Sequence, residues 1–166
     1  MHYVVLSLLL SATILGFQKQ TGKFSGYWKM DLKKSTNLPE SFKRVESYVM
    51  EVKQSSDSMV VVTEVKGSGQ RVKLPSTVYK FDGKEIYSGD TLQGFQRWTK
   101  CDWISKEQKL VVIALVVQRI GPYERRYSQK DVWQIVGKDR LDVSMIMKFE
   151  NPDSTQREKR VYHRLQ

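Results

Sequence analysis

Histidine and cysteine are almost missing from this chain. It has two histidines, His2 and His163, and one cysteine, Cys101. A single thiol cannot close an intramolecular disulfide, so stability must come from a buried core. With only His163 beyond the N-terminal run, neither a His-based metal cluster nor a His pair is available. A serine nucleophile would have to work with His163, and no G-x-S-x-G elbow accompanies it. There is no P-loop and no G-x-G-x-x-G; Gly67-Ser68-Gly69 reads as a hairpin loop. Proline and glycine are scarce, with 4 and 10 residues among 166, and no biased tract appears, which excludes a disordered chain. No long amphipathic helical pattern is present. Cys101 reads as a packed core residue, since no setting that would lower its pKa is visible. Asp102 beside Trp103 and Asp131 near Trp133 are the carboxylates best placed for shifted pKa values, and solvated or ion-paired acids are the plainer reading. The sequence therefore specifies no catalytic residue, no metal and no cofactor.

The first eighteen residues, "MHYVVLSLLLSATILGFQ", contain no Lys, Arg, Asp or Glu. The apolar run from Tyr3 to Phe17 has the length of an export-signal core and is short for a membrane span, which needs about 20 residues. This predicts a signal peptide over 1–18, cleaved between Thr13 and Lys19, ahead of one domain over 19–166. An uncleaved anchor or a buried apolar strand is the alternative. The expected location is extracytoplasmic, periplasmic or secreted.

Acidic residues are also short, 18 against 28 Lys and Arg, for a formal charge of +10. The basic residues are spread along the chain rather than blocked. Such a charge favours solubility and loose attraction to anionic envelope surfaces over nucleic-acid recognition. No nucleic-acid partner is expected, and oligomeric state is not legible.

What the chain does have is period-two alternation, the mark of half-buried strands. In Phe24–Leu32, the residues Phe24, Gly26, Trp28, Met30 and Leu32 share one face. A linker holding Pro39 follows, with a short helical or 3₁₀ turn near Leu38–Phe42. Strands are expected over Tyr48–Lys53, Met59–Lys66, Gln70–Phe81 with a bend at Pro75, Glu85–Tyr87 and Thr91–Trp103. Others follow over Leu110–Val117, Tyr123–Val136, Leu141–Phe149 and Glu158–Leu165. Asp82-Gly83 and Gly121-Pro122 mark turns. The run "LVVIALVV", Leu110 to Val117, reads as a strand buried on both faces or covered outside by a neighbour. The expectation is an all-β, antiparallel up-and-down meander of about 8–10 strands that closes into a barrel, because closure removes exposed edges. An open β-sandwich is the alternative.

Several short motifs recur in order. They are Gly26-x-Trp28 with Asp31, Lys34 and Ser35; Tyr79 with Asp82-Gly83-Lys84-Glu85; Trp98 and Trp133; and a terminal Tyr162-x-Arg164. On these the chain resembles the bacterial exported lipocalin-like (calycin) domains of undefined function, over most of Phe24 to Arg164. The resemblance implies a lipocalin-like β-barrel in which an Arg of the last strand, here Arg164, lies across Trp28 at the closed end. Gly26, Trp28 and Arg164 would then be structural signature residues.

The expected barrel lining is Met50, Tyr79, Phe95, Trp98, Arg125, Tyr127, Met145 and Met147, an apolar and partly flexible set with a polar face at Arg125, Tyr127 and Gln129. A filled interior is the plainer alternative. The functional expectation is an exported, non-enzymatic binding protein for a small hydrophobic molecule, acidic or neutral. A barrel enzyme acting on a lipid-like substrate, or an interaction module with a filled core, are the alternatives.

Overall fold

Alternating burial organises several of the long strands of the computed structural model, which describes residues 23–90, 94–104 and 106–166. The apolar N-terminal run, with the signal-peptide reading of 1–18, lies outside the described residues, as does the start of the expected Thr91–Trp103 strand. The strands are β1 (Gly26–Met30), β2 (Val45–Gln54), β3 (Ser58–Gly67), β4 (Gln70–Lys73), β5 (Thr77–Lys80), β6 (Ile86–Asp90), β7 (Phe95–Ile104), β8 (Lys109–Ile120), β9 (Tyr123–Val136), β10 (Arg140–Glu150) and β11 (Asp153–Arg164). A 3₁₀ turn covers Glu40–Arg44.

All strand pairs are antiparallel, and they form one sheet in the order β4-β3-β2-β1-β11-β10-β9-β8-β7-β6, with β5 also on β3. Consecutive strands pair with each other from β1 to β4 and from β6 to β11, β5 pairs with β3, and β1 also pairs with β11, joining the two halves of the chain. Proline has no N–H to give a ladder. The break at Pro75 accordingly divides the expected Gln70–Phe81 strand into β4 and β5, and Leu74 N–H bridges them by donating to Thr63 O at 2.8 Å. The last strand starts earlier than expected, at Asp153, because Asn151 and Pro152 alone make its turn.

The hydrogen-bonded path has two ends, β4/β5 and β6, and no ladder joins them among the described residues. Aromatic contacts cross between distant strands instead. Trp103 of β7 meets Phe24 edge-on at 5.5 Å and stacks on Phe81, just after β5, at 5.9 Å. Tyr79 of β5 meets Trp133 of β9 at 6.0 Å. The sheet is therefore curled with one face inward. That face carries the core: Trp28, Met30, Met50, Val52, Met59, Val61, Leu110, Val112, Trp133, Leu141, Val143 and Tyr162 are all buried. Cys101 belongs to it too, and burial pushes its thiol up to about 11.

The apolar run of β8 needs a correction. Leu110, Val112, Ala114 and Val116 point inward and are buried; on the other phase Val117 is buried too, but Ile113 and Leu115 are 47% and 43% exposed. An antiparallel meander has one packed face, and no second layer covers these two among the described residues.

At one end of the curl, Trp28 Nε1 donates to Phe24 O at 2.7 Å, and the Arg164 guanidinium lies 4.2 Å from the Trp28 ring centroid. Arg164 also donates from Nη1 to Ser25 O (2.6 Å) and from Nη2 to Lys23 O (2.8 Å). Gly26 makes room for it. Its φ is +132°, and a Cβ there would stand 2.6 Å from Arg164 Nη1.

Candidate functional site

Strand β9 places three side chains in a row on the inner face, Gln129, Asp131 and Trp133, at spacing i, i+2, i+4. Polar residues on the packed phase of a strand must find partners. Gln129 Nε2 donates to Asp131 Oδ1 at 3.0 Å and to Oδ2 at 2.9 Å. Asp131 is 4% exposed, and burial pushes its carboxyl above the usual range against the pull of Gln129, Arg97 and Arg160. Trp133 is 5% exposed, and its Nε1 is buried with no hydrogen-bond partner among the described residues.

These groups line a cavity of about 200 Å³ inside the curl. Its other walls bring Met50 and Tyr48 from β2, Thr63 from β3, Tyr79 from β5, Arg97 from β7, Val143 and Met145 from β10, and Arg160 and Tyr162 from β11. Burial pushes the Tyr79 and Tyr162 phenols up, so both stay O–H groups at neutral pH. Arg160 is held in place from two sides. It donates from Nε to the buried Glu158, and its guanidinium lies 5.1 Å from the Phe42 ring, in the 3₁₀ turn. Burial works against its charge, but Tyr162 and Glu158 more than offset that and hold its pKa above the ordinary value.

Arg97 differs from Arg160. Its Nε donates to Thr99 Oγ1 at 3.1 Å, and it forms no ion pair among the described residues. Arg97, Tyr79, Thr77 and Pro75 also line a cleft of about 440 Å³ between β5 and the β6–β7 pair, where the sheet has no ladder. Arg97 thus stands between the inner cavity and a side opening. Among the described residues no group of three or more His, Cys, Asp or Glu comes together that could hold a metal ion.

The structure brings only part of the sequence-expected lining together. Met50, Tyr79 and Met145 line the cavity. Phe95 lines the side cleft instead. Met147 and Arg125 border an open depression near Asn37–Glu40 and Gln156. There the Arg125 guanidinium covers the Phe149 ring at 4.1 Å, with Tyr127 5.1 Å from the same ring. Trp98 is on the outer phase, out of step with Cys101, and packs on Tyr87 at 5.4 Å.

Arg97, Asp131, Arg160 and Tyr162 were not expected in the lining, whereas Gln129 was expected on its polar face. Gln129 and Asp131 carried a usable signal: two polar residues on the phase that ends in Trp133. Arg97 and Arg160 carried none, because both sit in strands dense with charge.

Comparison of the chain with family models and with curated proteins finds no match to either.

Proposed function

We propose that this is a non-enzymatic binding protein that holds a small molecule inside its curled sheet. One observation carries the reading: Trp133, a residue on the wall of a cavity, keeps its Nε1–H buried and unpartnered among the described residues. A buried donor without an acceptor costs about 1–3 kcal/mol. A ligand acceptor at this position would recover that cost. The lining combines aromatic and thioether side chains with several polar groups, which are the contacts that orient a small molecule. On this reading the curl acts as a lipocalin-like barrel, with Trp28 and Arg164 as its closed end, and the protein is exported. The cavity size favours a compact ligand over a long-chain lipid.

Native mass spectrometry of the protein purified from its own host tests the reading. The expected spectrum shows a retained low-mass molecule that is lost on acid denaturation and depleted in Trp133→Phe. Repeated ligand-free spectra of the wild-type protein would overturn it.

A further inference from the structure

We infer that the ligand is a compact organic monoanion whose carboxylate is received by Arg97 and the Trp133 Nε1–H. This rests on the binding reading above and adds the ligand's charge and size.

Two residues of the cavity wall, Trp133 and Arg97, keep donor capacity that no carboxylate takes up among the described residues. Trp133 Nε1 has no acceptor. Arg97 spends its Nε–H on Thr99, has no carboxylate partner among the described residues, and lines both the cavity and the cleft. The carboxylates already present are engaged: both oxygens of Asp131 take Gln129 Nε2, and Glu158 takes Arg160. An occupant that satisfies Trp133 Nε1 and the remaining N–H groups of Arg97 must therefore bring acceptors.

The charges agree. Arg160 is matched by Glu158. Asp131 makes no ion pair among the described residues, and burial works against its ionised form. Arg97 is the guanidinium of the cavity wall that has no carboxylate within ion-pair distance among the described residues. A guanidinium offers parallel N–H donors that suit a carboxylate, and a charge-assisted bond of this kind is about twice as strong as a neutral one.

Size limits the rest of the molecule. About 200 Å³ is less than the roughly 300–1,000 Å³ of ordinary small-molecule sites. Tyr48, Tyr79 and Trp133 offer ring faces, and Met50 and Met145 offer polarisable thioethers. A flat or short apolar body fits these walls.

Four probes separate the possibilities: benzoate, its neutral analogue benzamide, its cationic analogue benzylamine, and the long-chain acid palmitate. Binding is measured by isothermal titration to the full chain, with tryptophan fluorescence as a second readout. Benzoate is expected to bind at least about tenfold more tightly than benzamide and benzylamine. Arg97→Gln is expected to weaken benzoate by about tenfold or more while leaving benzamide nearly unchanged. Arg97 is half-buried, so this variant should fold, and circular dichroism checks that it does. Equal binding of benzamide and benzoate, or tighter benzylamine, overturns the anion inference and leaves the binding reading standing. Preferred palmitate, or benzoate binding indifferent to Arg97→Gln, overturns it in the same way. If no probe binds, a non-anionic molecule retained from the host overturns the inference alone, and a ligand-free host protein overturns both readings.

Discussion

Gly26 shows how one missing side chain serves a distant one. Its φ of +132° lies where an L side chain is strained, and the space a Cβ would take is filled by Arg164. Arg164 cannot easily step aside, because two backbone carbonyls and the Trp28 ring fix its guanidinium. Gly26→Ala is therefore expected to destabilise the protein by about 1–3 kcal/mol. In an Arg164→Ala background the clash is gone and only the backbone strain remains. Urea unfolding of the two single variants and the double variant measures the coupling. Additive effects within about 0.5 kcal/mol would show that Gly26 and Arg164 act independently. Asp131 shows a different lesson at this scale. Its neighbourhood was readable as "QKDVW", but not its bonds, because whether a polar side chain is buried depends on strands far away in sequence.

The β8 strand makes the point at the scale of an element. Its composition is almost uniformly apolar, yet its two phases meet different surroundings. Leu110 is fully buried against Trp103 and Trp133 in the paired strands, whereas Leu115 is open beside Trp98. Leu110→Ala is expected to cost about 2–5 kcal/mol, as other large-to-small core changes do. Leu115→Ala is expected to cost less than about 1 kcal/mol. Thermal or urea unfolding of the two variants decides, and equal losses would mean that the outer phase is covered after all. Composition alone could not separate the phases. A run of apolar residues carries no period, so it is compatible with burial on one face or two. Where the alternation is clean, as in β1 and β10, the inward residues were legible: Trp28 and Met30, Leu141 and Val143.

On the scale of the whole molecule, the sheet has a strong middle and weak ends. β8, β9, β10 and β11 are long and flanked by ladders on both sides, while β4 and β6 are short and each pairs with one neighbour. Local opening follows such differences in support. Native-state hydrogen exchange is expected to be slowest in β9 and β10 and fastest in β4 and β6. Protection in β6 equal to that in β9 would reveal a ladder across the seam, and so a fully closed barrel.

The sequence by itself determined the class of fold, most of the strands and the turns between them. These depend on local quantities: the period of two, the turn residues Gly and Pro, and the lack of any helical pattern. It also determined that no disulfide supports the core, since there is one cysteine. Only the tertiary structure decided which polar residues meet. Arg97, Asp131 and Arg160 lie on β7, β9 and β11, and they face one cavity because the sheet curls. The curl comes from side-chain packing between strands far apart in the sheet, Trp103 on Phe24 and Phe81 and Tyr79 on Trp133. Packing of that kind depends on three-dimensional register, which no single stretch of chain encodes.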